Sequence, residues 1–262
     1  MSQLAKIYAI ALNTFRETVR DKILYSFLVF IVLVMLLAIL LGSLSVGQDE
    51  RVLRDFGLAS ISFVGGVIAI VAGANLVFKE LDKRTVYIIF TKPVTGWQFI
   101  LGKYLGLCFA VGCMVSVMGL FMIGVLALTN SHSVAFELNR LWAPLALVYL
   151  ELLFVIAMAT FFSTFANPIM SVLFTLSLWL IGHFGDSLRE LGRLSQNESL
   201  GAFMNFLYWL LPDLASLTRV RNLLMYGNQS GNEVISYLTC YVIAYVLILL
   251  VMASIVTEQR EI

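Results

Sequence analysis

The chain has 262 residues, of which 60% are hydrophobic and 13% charged, with a formal net charge of +1 and a mean hydropathy of +0.93. That composition excludes an ordinary soluble domain. The near-neutral charge, with no basic cluster outside the segments assigned below to the inner side, argues against a nucleic-acid partner. Runs of about twenty apolar residues are long enough to cross a ~30 Å hydrocarbon core as helices, so the chain reads as an all-α polytopic membrane protein.

Residues before Lys22 do not read as a cleavable signal, because their charges are scattered rather than grouped ahead of an apolar core. Leu4, Ile7, Tyr8, Ala11, Leu12, Phe15 and Val19 recur at helical spacing, with Lys6, Asn13, Glu17 and Arg20 on the other side. This predicts an amphipathic helix lying in the membrane interface, or packed on a partner at the inner side. The first span is expected at 23–44, followed on the outer side by the acidic-leaning segment 48–55. The second is expected at 58–78, with Gly65, Ala69 and Gly73 at four-residue spacing, where a neighbouring helix can approach closely. Asn75, near its inner end, is placed to bond across helices.

Between Phe78 and Lys103 lies the most basic stretch, FKELDKRTVYIIFTKPVTGWQFILGK. Lys79, Lys83, Arg84, Lys92 and Lys103 there face only Glu80 and Asp82, which marks an inner loop. Glu80 to Thr91 can form a short helix that Pro93 ends. Thr95-Gly96-Trp97-Gln98 has the pattern of a capping box opening the next helix. A docking helix and a solvated loop with anchoring lysines both fit this spacing.

The third span is expected at 104–128, where the stripe Met114, Met118, Met122 reads as packing rather than a soft-metal track. His132, Glu137 and Arg140 fall in the following outer loop. The fourth span is expected at 141–165, with Pro144 in its first turns. An uncharged inner turn at 163–168 leads to the fifth at 169–184. The polar stretch 185–233 contains an apolar segment, 200–211, too short to cross, interrupted by Pro212-Asp213; it suggests re-entrant or interfacial helices on the outer face. The sixth span is expected at 234–256. About six spans place both termini on one side, and all the lysines (Lys6, Lys22, Lys79, Lys83, Lys92, Lys103) then fall on the inner side.

Catalytic and metal-binding patterns are lacking in the sequence. Gly96 to Lys103 has the wrong glycine spacing for a phosphate loop, and Tyr104 stands where Ser or Thr should hold magnesium. Gly42-Ser43-Leu44-Ser45 lacks the surroundings of a serine nucleophile. Cys108, Cys113 and Cys240 read as small packing residues. His132 and His183 are separate, near the outer surface, without an i+4 partner for a metal. The buried ionisable group is Glu151, ten residues into its expected span and thus ~15 Å deep at ~1.5 Å per residue. No Lys or Arg lies at matching depth in the other spans, so Glu151 is expected neutral and hydrogen-bonded to Ser116, Thr175 or Tyr245.

The ordering ALNTFRETVRDKILY before the first span, KELDKRTVYIIFTKPVTGWQFILGKYLG after the second, and YWLLPDLASL, LLMYG and SYLTCYVIAYVLILLVMASIVTEQRE at the end resembles the membrane subunit of an export-type (type-2) ABC transporter. The branch is that of the multi-copper enzyme maturation, or NosY-like, permeases. The tail Thr257-Glu258-Gln259-Arg260-Glu261 departs from that family's more basic, aromatic ending. The resemblance implies a connecting helix over 1–22, with Lys6, Asn13, Arg16, Glu17 and Arg20 among its polar residues. Residues 23–262 would form one transmembrane domain with its coupling loop at 79–103 and its outer segment at 185–233. It further implies a coupling helix whose Glu80, Lys83, Arg84, Thr85, Tyr87, Lys92 and Pro93 meet a separate ATPase. Two permeases, alike or related, and two ATPases would assemble in the bacterial inner membrane with both termini cytoplasmic. ATP and magnesium would sit in the ATPase, and this chain would carry no cofactor and no enzymatic site. The alternatives from the residues are a secondary transporter or channel using Glu151 as an ion or proton site, and a membrane anchor for another enzyme.

Overall fold

The computed structural model describes residues 3–20, 29, 32–40, 49–82, 95–130, 134–185, 187, 190, 192, 201, 212–226 and 232–260. The regular elements among them are helices: α1 (Gln3–Val19), α2 (Asp49–Asp82), α3 (Gly96–Asn130), α4 (Val134–Ser163), α5 (Pro168–His183), α6 (Leu214–Tyr226) and α7 (Asn232–Arg260). Residues 32–40 are helical as well. Among the described residues four segments are long and apolar enough to cross a membrane: Glu50–Leu76, Gly96–Leu128, Val134–Ser163 and Val234–Gln259. The fifth apolar helix, α5, has only 16 residues. Much of the expected first span and of the apolar segment 200–211 lies outside the described residues.

Several helices overrun the boundaries suggested by hydropathy. α2 starts at Asp49 rather than Leu58, α3 at Gly96 rather than Tyr104, and α4 at Val134 rather than Leu141. The cause is visible at the outer ends of α2 and α4, where charged residues pair with one another along and between helices instead of remaining in loops. One consequence corrects the reading of Pro144. It lies in the interior of α4, not in a first turn, so the carbonyl of Arg140 has no helical N–H to receive.

α2 and α4 form the closest pair in the bundle, and the small residues of α2 explain why. A Cβ on Gly65 would lie 2.7 Å from a Leu152 methyl, and one on Gly73 2.6 Å from the Ala159 Cβ. Ala69 between them is fully buried. In lipid no hydrophobic force draws helices together, so this close approach is what allows dispersion contacts to hold them. Gly66 makes room in the same way for the Trp179 indole of α5. Asn75 bonds back to the Val71 carbonyl of its own helix at 2.8 Å, not across helices as expected. On α3, Met114, Met118 and Met122 are all buried, and Met122 meets Gly57 beside Met35. Two tyrosines tie α3 to α4: Tyr104 donates to the Leu153 carbonyl and Tyr149 to that of Cys108.

α1 lies against the inner half of α3, where Gly102 and Gly106 receive Ile7, Ile10, Ala11 and Thr14. Its apolar residues therefore do not act as one face. Ile7 and Ala11 are buried against α3, whereas Leu4 and Tyr8 are largely exposed. α3 begins where the Thr95 pattern predicts, with the Thr95 carbonyl accepting from the Gln98 and Phe99 amides. The reciprocal half of a capping box is not made, since the buried Gln98 Oε1 has no partner. At the far end of the chain Asp213 caps α6 through the Ser216 amide at 3.0 Å, a start signal that follows directly on Pro212.

A branched side chain at Gly73 cannot be absorbed without moving α2 from α4. Gly73→Leu is expected to cost ~1–3 kcal/mol or more and to lower the thermal unfolding midpoint in nanodiscs. Gly124→Ala, where an added Cβ meets nothing within 4 Å, should not lower it.

Candidate functional site

Two polar clusters are buried between α2, α4, α5 and α6. Towards the N-terminal ends of α2 and α4, Arg54 Nη2 lies 3.1 Å from Glu137 Oε1 and 2.9 Å from Glu50 Oε2. Arg54 is 3% exposed and Glu137 fully buried, so this pair is desolvated and its geometry decides its worth. Arg54 Nε and Glu137 Oε2 are left without hydrogen-bond partners. Beside it, Tyr226 of α6 donates to Asp55 of α2, and the Arg51 guanidinium lies 4.7 Å from the Tyr226 ring centroid. Burial and the Asp55 carboxylate push the Tyr226 hydroxyl up to about 12, which keeps it a donor across physiological pH. Arg140 of α4 reaches the Met225 carbonyl at 3.3 Å. Together these contacts fasten the end of α6 to α2 and α4.

The second cluster centres on Glu151, which is 1% exposed. Ser62 of α2 donates to Oε2 at 3.0 Å, and the Trp179 indole N–H of α5 donates to Oε1 at 3.1 Å. His183 Nε2 lies 3.3 Å from Oε1, and Arg221 Nη1 of α6 lies 3.8 Å from Oε2. The expected partners are not there: Ser116 bonds to Gly112 and Thr175 to Ser171 within their own helices, and Tyr245 stacks on Phe154 and Tyr241. The expectation of a carboxyl without a cation at its depth is likewise overturned. The reason is the length of α5. Sixteen residues make ~24 Å, so a helix rising from the inner turn ends short of a ~30 Å core. His183 therefore lies at the level of Glu151, 3.3 Å from its carboxyl. α6 comes down to meet it, Leu214 and the Pro212 carbonyl resting on Gly182, and this brings Arg221 into the bundle.

Burial holds the Arg221 guanidinium below its ordinary pKa, while Glu151 and Asp55 oppose that effect. An arginine nevertheless stays charged in a protein. Among the described residues no group of three His, Cys, Asp or Glu side chains could hold a metal.

The opposite end of the bundle is organised differently. Lys103 of α3 is buried; its Nζ donates to the Leu76 carbonyl of α2 at 3.0 Å and lies 5.4 Å from the Phe99 ring centroid. α2 continues as helix beyond Leu76 to Asp82, so Glu80 lies in its last turns. Lys83, Arg84, Thr85, Tyr87, Lys92 and Pro93 fall outside the described residues. On α1, Asn13, Arg16, Glu17 and Arg20 are exposed and Lys6 is partly buried. None of these residues is brought to the Glu151 cluster.

These helices, crossing a membrane and joined by buried polar groups, define a polytopic membrane protein. Residues 8–258 match the family model described as ABC-2 family transporter protein. The chain belongs to that family, and is accordingly a membrane subunit of an ABC transporter, a type of subunit that works with an ABC ATPase. A comparison with curated proteins finds no match.

Removing Arg54 leaves the buried Glu137 uncompensated, whereas removing Glu137 leaves Arg54 its bond to Glu50. Arg54→Ala should cost ~3–5 kcal/mol and Glu137→Ala less, and Arg54→Met with Glu137→Leu together should recover much of the larger loss. Thermal unfolding of the four proteins in nanodiscs provides the comparison.

Proposed function

We propose that this chain is the permease of an ATP-driven exporter, in which a separate ATPase pushes on the basic segment 79–103 and so rearranges the spans it joins. The observation that carries the reading is family membership over residues 8–258. Membership also makes the secondary-transporter and membrane-anchor readings unnecessary. The bracing of the segment's two ends supports the mechanical part. Lys103 ties the start of α3 to Leu76 of α2, and α1 is seated in the glycine notch of α3. A force applied between Asp82 and Thr95 then reaches two spans and α1 together rather than bending a loose loop.

In this reading Glu80, Lys83, Arg84, Thr85, Tyr87, Lys92 and Pro93 form the docking piece, and the polar residues of α1 (Lys6, Asn13, Arg16, Glu17, Arg20) steady it. Two permeases and two ATPases make the working assembly in the bacterial inner membrane, with export between the permeases. ATP and magnesium are held by the ATPases. ATP binding can favour one permease state only if the ATPase docks on the two states with different affinity.

Glu80→Ala, Arg84→Ala and Tyr87→Ala are expected to leave insertion intact but to uncouple the permease, since losing a buried charged contact at an interface costs ~2–5 kcal/mol. ATP hydrolysis and transport by the reconstituted complex are the readouts; wild-type assembly and transport in all three variants would remove the docking role. Single cysteines at Ser2, Thr95 and Glu261 should react only with reagents admitted to the cytoplasm, and one at Asn228 only with external reagents. External labelling at Thr95 would reverse the orientation.

A further inference from the structure

The contact between Glu151 and His183 requires a proton that neither its neighbours nor the transport reading accounts for. His183 Nδ1 lies 2.8 Å from the Trp179 carbonyl oxygen. A carbonyl has no hydrogen to give, so Nδ1 carries the hydrogen of that bond. Nε2 then faces Glu151 Oε1 at 3.3 Å. A neutral imidazole with its hydrogen on Nδ1 and an ionised carboxylate would set two lone pairs against each other. One more hydrogen is needed, either on Nε2, as imidazolium, or on the carboxyl.

Among the described residues the neighbouring groups do not supply it, and Asp213 of α6 is engaged with Ser216. Ser62 from α2 and Trp179 from α5 already donate to the two carboxyl oxygens. Arg221 from α6 keeps its protons at any ordinary pH, and Asp55 of α2 acts on Arg221 rather than on the histidine. On α4 itself the other described charged groups, Glu137 and Arg140, are engaged at the outer end with Arg54 and the Met225 carbonyl. The described charged side chains of α3 and α7 are Lys103 and Glu258, both toward the inner ends. The exchangeable proton therefore belongs to the Glu151–His183 pair. Glu151 is sealed at 1% exposure, while the His183 side chain is 28% exposed and provides the way in.

We propose that Glu151 and His183 form a proton-binding site at the junction of α4, α5 and α6, and that its occupancy sets how firmly the end of α5, with α6 upon it, is held to α4. With the proton present, the two helices share a hydrogen bond between imidazole and carboxyl, charge-assisted where the imidazole carries it. Without it, two acceptors oppose each other, and only the Trp179 indole and the more distant Arg221 still join α5 and α6 to Glu151. The site concerns this chain's own side chains, so its test does not require the ATPase.

Trp179 supplies the reporter, because its indole bonds Glu151 and stands edge-on to the His183 ring at 5.2 Å between centroids. The full chain with Trp97→Phe, Trp142→Phe and Trp209→Phe, in nanodiscs, is titrated between about pH 5 and pH 9 while emission is followed. A single one-proton step is expected. His183→Gln should abolish it, and Glu151→Gln should shift its midpoint by about one pH unit or more. A flat parent signal, or a step that survives His183→Gln unchanged, would overturn the site. Infrared difference spectra of the unmodified chain across the same range read the imidazole and carboxyl bands directly; absence of both changes is equally decisive against it. Hydrogen exchange of the α6 amides, corrected for intrinsic rates, should be faster on the alkaline side of the step. Equal exchange on both sides would remove the fastening role.

Discussion

In a bilayer, apolar side chains gain nothing from leaving lipid for another helix, so contact between spans depends on how near two backbones can come. Gly65 and Gly73 let α2 lie directly on Leu152 and Ala159 of α4. The polar contacts of the outer half depend on that spacing. Ser62 and Arg54 are short of reach to Glu151 and Glu137 unless the backbones are close, and Gly66 sets the Trp179 indole where it can bond the same carboxyl. Small residues thus act first, and the buried charges follow from them.

The two ends of the molecule serve different ends by different means. The outer half is joined by desolvated ion pairs and charge-assisted bonds, which lose much of their value if the geometry slips. The other half is joined by Lys103 and Tyr104 on carbonyls of α2 and α4, by the Gly73–Ala159 contact and by α1 in a glycine notch. Such contacts tolerate tilting of the helices as bodies while keeping their ends together.

Much of the fold was legible because apolar length and small-residue spacing are local signals. The Gly65–Ala69–Gly73 pattern, the methionine stripe, the buried Glu151 and the turn before Pro168 could all be read directly. The partners of Glu151 could not, because hydropathy implies full-length spans at equal depth. α5 is too short for that assumption, and α6, which supplies Arg221, is not a span. The Arg54–Glu137 pair was hidden for a related reason: charges near span ends look like loop. The spacing of Glu50 with Arg54, and of Arg51 with Asp55, could have signalled that α2 continues upstream as helix. Bonds such as Asn75 to Val71 depend on rotamer choice, about which a side chain's place in the sequence says little.

The shortness of α5 also makes the lipid a participant. Ile169, Met170, Leu173, Phe174, Leu180 and Ile181 present apolar surface along a helix of ~24 Å, several ångströms less than the average hydrocarbon thickness. Bilayers answer such mismatch by thinning beside the protein, at a cost of fractions of a kcal/mol per ångström. A bilayer that thins beside α5 to match it would bring headgroup water nearer to His183. The acyl-chain length of the host membrane would then be a variable of the protein itself: thicker bilayers would resist thinning and keep the polar cluster drier, and thinner ones would let water stand at its door.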